Sequence, residues 1–302
     1  MERADLTVCI LSYNRKEYLF ECINSVKCQT LLPGRVIIYD NGSSKEVFEH
    51  IKPLLTPNII WRGSEKNYGV IWNYNRSVKD LTTEYVMVFH DDDRLNEFFI
   101  ERQFEFLENA KHLNIIALSC NGHSFESNKK GTTIFKNTAG YLLFNTQAEI
   151  VSHCLSSCIP ISPVIFRSAI FESVNIDYEY GKCCDVKLLL DAVNSGPIVI
   201  NYEPLYDCRL HLGQDSTSFP LDDIIRLYKL YREIVLEVMH KDKSLINDVR
   251  HNFTYLVLSK YKSILKGKNK TKNLVGSLRA LTNKNYSVIA MVKLFFNKIK
   301  YD

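Results

Sequence analysis

Three consecutive acids, Asp91-Asp92-Asp93, close the apolar run from Glu84 to His90, and they are the side chains best suited to chemistry in this sequence of 302 residues. In an extended chain alternate side chains share a face, which predicts Asp91 and Asp93 side by side, roughly 7 Å apart at Cα, with Asp92 turned away. Two carboxylates so placed suit one hard divalent cation, Mg2+ or Mn2+, whose shell is completed by phosphate oxygens. The plainer alternative is a solvated acidic turn before a helix that starts near Asn96. Three neighbouring acids repel one another, and a cation relieves that repulsion, which favours the metal reading. Two later positions add to the picture. Asp185 opens the helical run Asp185 to Leu190 and reads either as a general base or as a helix N-cap. His211, in Arg209-Leu210-His211, follows an expected strand and reads either as structural or as a catalytic imidazole.

The elements that position these residues are β-rich runs alternating with helical patterns. Leu6 to Leu11, Arg35 to Asp40, Asn58 to Trp61 and Glu84 to His90 read as strands, and their near-continuous apolar character predicts a sheet covered on both faces. Asn14 with Glu17 and Ser43 with Glu46 have capping-box spacing, so helices are expected between the strands. The β-α-β-α order implies an α/β fold with a mainly parallel, doubly wound sheet, in which ligands bind at the carboxyl ends of the strands. The segments there are Ser12-Tyr13-Asn14-Arg15 and Asp40-Asn41-Gly42-Ser43-Ser44. Each offers small polar groups and a helix start whose free N–H groups attract anions, and Asp40 could accept from a nucleobase imide. Asp-Asn-Gly also fits a tight hairpin turn, but a helical pattern rather than a partner strand follows it. The polar stretch from Gly122 to Gly140 reads as a loop or hairpin. A helix is expected at Asp185 to Val193, a strand at Pro197 to Tyr202, and nearly continuous helix from Leu221.

Composition narrows the class. The nine cysteines lack paired spacing, so reduced thiols in a cytosolic setting are expected and a zinc site is not. Neither a signal peptide nor a membrane span is expected from the short apolar runs. The net charge of +4 hides an asymmetry, because Val249 to Asp302 hold twelve Lys or Arg and one acid, a surplus of +11 that leaves −7 on residues 1–248. Val288, Met291, Val292, Phe295 and Ile299 share one helical face with lysines largely opposite. Such a basic amphipathic segment can lie on an anionic membrane surface, or can pack on the rest of the chain. Nucleic acid is not an expected partner, since no nucleic-acid module is present and the remainder of the chain is acidic.

Together, Val8 to Arg15, Cys22 to Gln29, Ile37 to Ser44, Asn67-Tyr68-Gly69 with Asn75, the Asp-x-Asp of Asp91 and Asp93, Asp185 and His211 resemble the inverting glycosyltransferases of family 2. The likeness covers roughly residues 5 to 216. It implies a GT-A fold, Rossmann-like, with a mixed, mainly parallel sheet flanked by helices over residues 1–216, while charge and periodicity make 217–302 a helical, basic C-terminal region. It also implies a sugar moved, with inversion, from a nucleotide diphosphate, UDP by default, to a saccharide acceptor that a membrane-surface site would suit as lipid-linked, as in bacterial polysaccharide or O-antigen assembly. Ser12, Tyr13, Asn14, Arg15, Asp40, Asn67, Asp91 and Asp92 would bind the nucleotide. Asp93 and His211 would hold Mn2+ or Mg2+, Arg209 and His211 would face the diphosphate, and Asp185 would be the base. The family places another acid before that base, where this sequence has Cys184. The setting implied is cytoplasmic, peripheral on the inner face of the cell membrane. Two rivals are a sugar nucleotidyltransferase, disfavoured because the loop after the first strand lacks glycine, and a catalytically silent glycan- or nucleotide-binding module.

Overall fold

The computed structural model describes residues 3–126, 129–211, 214, 220–238 and 247–249. Ten strands form one sheet. They are β1 (Arg3–Ser12), β2 (Leu32–Asp40), β3 (Ile59–Arg62), β4 (Tyr85–His90), β5 (Arg94–Leu95), β6 (Ala117–Glu126), β7 (Lys129–Thr133), β8 (Tyr141–Phe144), β9 (Ile165–Arg167) and β10 (Ile198–Arg209). The helices are α1 (Lys16–Lys27), α2 (Lys45–Ile51), α3 (Val70–Ser77), α4 (Phe99–Asn109), α5 (Gln147–Cys154), α6 (Cys184–Ala192) and α7 (Leu221–Val238).

Strand order along the sheet is β3-β2-β1-β4-β9-β6-β10-β5, with β7 on β6 and β8 on β10. The block β3-β2-β1-β4 is parallel. Beyond it, β9 runs antiparallel to both β4 and β6, while β6 and β10 are parallel. The sheet is therefore mixed, and Gly122 to Gly140 contributes the β6–β7 hairpin. Alternate residues of β1 explain the layering. Leu6, Val8 and Ile10 join one core cluster with Leu19, Ile23 and Val26 of α1 and Phe99 and Ile100 of α4, and Cys9 between them is also buried. A strand buried on both faces needs apolar residues at every position, which is why its sequence reads as a continuous run. Each such side chain contributes about 1.5–3 kcal/mol by burial.

The chain divides into two compact units, residues 1–147 with 158–217, and residues 148–157 with 218–302. The second takes in most of α5 as well as α7, whose Tyr228, Tyr231 and Val235 are buried at helical spacing. The basic amphipathic segment from Val288 to Ile299 lies outside the described residues, as does most of the helix expected beyond Val238. No helix among the described residues is long and apolar enough to cross a membrane.

Neither expected capping box forms. The first residue before α1 is Arg15 and before α2 is Ser44, and neither uses its side chain as a cap. Asn14 and Ser43 are engaged with each other's loops instead: Asn14 N–H donates to Ser43 Oγ at 2.8 Å, and Ser44 N–H donates to Asn14 Oδ1 at 3.0 Å.

Candidate active site

Parallel register brings three strand ends together, Ser12 opposite Asp40 and Leu11 opposite His90. Ser12, Asp40 and the acid triplet after His90 thus sit along one carboxyl edge, as a doubly wound sheet requires. Asp40 is buried, and its Oδ2 accepts from the Gly42 and Ser43 N–H groups at 3.2 and 3.0 Å while Oδ1 accepts from Ser43 Oγ. The carboxylate organises its own loop, a use that its expected contact with a nucleobase did not include. Asn67 does the same for the next loop, its Oδ1 accepting from Asn41 Nδ2 at 2.9 Å and Gly69 N–H at 2.8 Å. Ser12 is buried with its hydroxyl unpartnered, whereas Tyr13 is exposed at the edge and its N–H donates to Asp91 Oδ2 at 3.3 Å.

The acid triplet is arranged differently from the expected alternation. The chain leaves extended geometry after His90, with Asp93 N–H turning back to His90 O at 3.4 Å. Asp91 and Asp93 therefore do not form the pair. Arg15 Nη1 instead bridges Asp91 Oδ1 and Asp92 Oδ2 at 3.1 and 3.0 Å, and Asp92 joins Asp93 and His90, whose ligand atoms lie within 4.8 Å of one another. His211 Nε2 lies 2.9 Å from Asp92 Oδ2, so it touches this set through Asp92 and stands outside the three. His90 was not singled out in the sequence, because a histidine ending an apolar strand carries no spacing signal until the turn that follows is known.

Burial shapes the charges. Asp91 is pushed up to about 6, chiefly by burial, with Arg15 opposing and Asp92 adding to the rise. Asp93 rises to about 6 by burial and the neighbouring Asp92 charge, with His90 opposing. For Asp92 burial also acts upward, but His90, His211 and Arg15 prevail and hold its carboxyl below the usual range. Two carboxylates and an imidazole with their ligand atoms this close together fit a divalent cation by donor chemistry.

Arg209 is placed inside rather than toward a ligand. It is buried, its N–H donates to Asp93 Oδ1 at 3.0 Å, its Nε to Asp92 O at 2.7 Å and its Nη2 to Glu21 Oε2 at 2.5 Å. Its guanidinium carbon lies 4.3 Å from the centre of the Tyr18 ring and 4.4 Å from that of Phe125. These contacts tie the acid turn to β10 and α1, and no contact among them is with a diphosphate-binding group. Asp185 lies in the first turn of α6, where Cys183 is the capping residue, so the N-cap alternative is not what forms. Its Oδ1 accepts the Val186 N–H at 2.8 Å. Burial raises its pKa, and His90 is near enough to oppose that rise.

The chain as a whole has counterparts among known proteins. The family model for glycosyl transferase family 2 matches residues 7–168, more than half of the chain. The chain belongs to that family. An uncharacterised glycosyltransferase of Haemophilus influenzae is 25% identical over 267 residues, covering 82% of this chain and 80% of the relative. The abequosyltransferase RfbV of Salmonella typhimurium is 24% identical over 231 residues, covering 71% and 68%. Among solved structures, Staphylococcus aureus TarS residues 1–349 in complex with UDP-GlcNAc superposes with a TM-score of 0.58 at 18% identity, covering 84% of this chain and 71% of TarS. That likeness is one of fold, and it gives this family 2 glycosyltransferase the GT-A architecture. The family match spans β1 through β9, so the strand ends bearing Ser12, Asp40 and His90 to Asp93 fall inside it, while Asp185, Arg209 and His211 come from beyond it.

Proposed function

We infer that this glycosyltransferase moves a sugar from a nucleotide diphosphate donor, a UDP-sugar, to a saccharide hydroxyl with inversion at the anomeric carbon, in the assembly of a surface polysaccharide. The observation that carries the reading is the juxtaposition of His90, Asp92 and Asp93 with Asp185 close enough to sense His90. The UDP-GlcNAc complex of TarS supports the donor class, and the abequosyltransferase name of RfbV supports transfer of a sugar.

His90, Asp92 and Asp93 would hold the cation, and the imidazole among the donors favours Mn2+ over Mg2+. Bound there, a divalent cation compensates the charge of the departing nucleoside diphosphate. Asp185 accepts the proton of the acceptor hydroxyl while the new carbon–oxygen bond forms and the bond to the phosphate oxygen breaks. Its raised pKa keeps it basic enough for that transfer. Attack opposite the leaving group inverts the centre. Tyr13, exposed beside Asp91, would cover the nucleoside, and His211 shares Asp92 Oδ2 with Arg15, whose guanidinium would meet an anion. Arg209, anchored on Glu21, keeps the acid turn in place during the exchange.

Calorimetry with UDP, with and without Mn2+, checks this directly on the wild type, Asp93→Ala and Asp185→Asn. Metal-dependent UDP binding that Asp93→Ala loses is expected. Asp185→Asn is expected to bind UDP normally and to lose about 10²–10⁴ in turnover of UDP-sugar. Absence of UDP binding under every condition would move the chain to a silent binding module.

A further inference from the structure

A cation and a diphosphate must enter a site whose carboxylates already have partners. Asp92 Oδ2 has both Arg15 Nη1 at 3.0 Å and His211 Nε2 at 2.9 Å, and Asp92 is one of the three residues able to hold the cation. A carboxylate oxygen offers about two lone-pair sites, so this oxygen is saturated as it stands. Arg15 Nη1 also reaches Asp91 Oδ1, so one guanidinium nitrogen spans two acids. The side chain of Arg15 is 31% exposed against 4% and 11% for Asp91 and Asp92, which puts the guanidinium on the solvent side of the acids. Arg15 is the residue before α1 and makes no side-chain capping bond there.

We propose that Arg15 is a built-in counter-ion, which neutralises Asp91 and Asp92 in the metal-free chain and passes to the donor's diphosphate when a divalent cation takes over the carboxylates. The inference rests on the donor and metal reading above and goes further, by assigning Arg15 opposite effects on the two ligands. A guanidinium fork pairs with carboxylate and phosphate alike, so the exchange keeps charge-assisted hydrogen bonds at both ends. While Arg15 sits on Asp92 its charge repels an incoming cation at short range. Once a diphosphate draws it away, the carboxylates are released. Metal and nucleotide then raise each other's affinity, and by linkage they do so by the same factor.

The test is calorimetric titration of Mn2+ alone into the full-length wild type, Arg15→Gln and Arg15→Lys, followed by UDP into each Mn2+-saturated protein, with thermal melting to verify folding. Arg15→Gln is expected to bind Mn2+ alone about tenfold more tightly than wild type. The same variant should bind UDP about tenfold more weakly in the presence of Mn2+. Arg15→Lys keeps the charge and loses the fork, so its Mn2+ affinity should stay near that of wild type while its UDP affinity falls. A residue that only binds phosphate, or only supports the fold, would not tighten the metal. Mn2+ binding that is unchanged or weaker in Arg15→Gln overturns the inference, and if wild type still binds UDP with Mn2+ the proposed function survives that result. If no protein of the set binds Mn2+ or UDP, both readings fall together.

Discussion

Asp93 is buried, accepts the Arg209 N–H and still titrates near 6, because burial and the adjacent Asp92 charge outweigh that hydrogen bond and His90. Its folded-state pKa lies above the ordinary 3.8, so the folded chain binds a proton more tightly than the unfolded chain does. The sign of the linkage follows: in the metal-free protein the ionised carboxyl costs stability above about pH 6, and that cost fades as pH falls toward 4. Asp93→Asn, which keeps the acceptor oxygen and removes the charge, should therefore raise the metal-free melting temperature at pH 7.5 and lose its advantage near pH 4. Melting curves across that range check it, and a variant less stable than wild type at pH 7.5 would contradict it. Such a stabilising loss of a functional group is what a strained binding site predicts. At this scale the sequence pointed to the acids, Asp185 and His211 by residue type and spacing. It pointed to neither His90 nor the burial of Arg209, since both depend on a turn after β4 and on β10 passing behind it.

The loops after β1 and β2 are tied to each other and to the segment before α3 by side-chain amides. Asn41 Oδ1 accepts from Tyr68 N–H at 3.1 Å, and Asn41 Nδ2 donates to Asn67 Oδ1 and to Gly69 O. Gly42 makes that closeness feasible. It sits at φ 79°, and a Cβ there would lie 2.4 Å from the carbonyl carbon of Lys66. Gly42→Ala should cost about 1–3 kcal/mol through backbone strain alone, with more from the clash, and should weaken nucleotide binding because the Asp40 loop shifts. A melting temperature equal to wild type would show that the loop has room to adjust. Element by element, β1, β2, β3 and β4 were legible within a residue or three at each end, because a strand buried on both faces has an unbroken apolar run. The helix starts were misread for a physical reason: Asn14 and Ser43 do hydrogen-bond to backbone N–H groups, but across the loops, a long-range choice that local spacing does not encode. Strand β9 has three residues and β5 two, too few for any periodicity to register.

Across the whole molecule charge is uneven, with the +11 surplus after Val249 set against −7 before it. If that tail meets an anionic membrane, where each Lys or Arg near the surface contributes about 1 kcal/mol, truncation after Leu265 should abolish sedimentation with acidic liposomes and reduce transfer to a lipid-linked acceptor. Transfer to a soluble acceptor should persist. Unchanged liposome binding and unchanged transfer to the lipid-linked acceptor would remove the membrane from the proposal. The sheet carries a different consequence. Its parallel block, β3-β2-β1-β4, is complete by His90, yet the strand beside β4 comes from residues 165–167, and the N–H that grips Asp93 comes from Arg209. During synthesis, which runs from the N-terminus at about 5–20 residues per second, the open edge of β4 must wait several seconds for its neighbour, and the acid turn waits longer still. For that interval the nascent chain presents an unpaired, apolar strand edge to solvent, so its yield should depend on what shields that edge until residues 165–167 have left the ribosome.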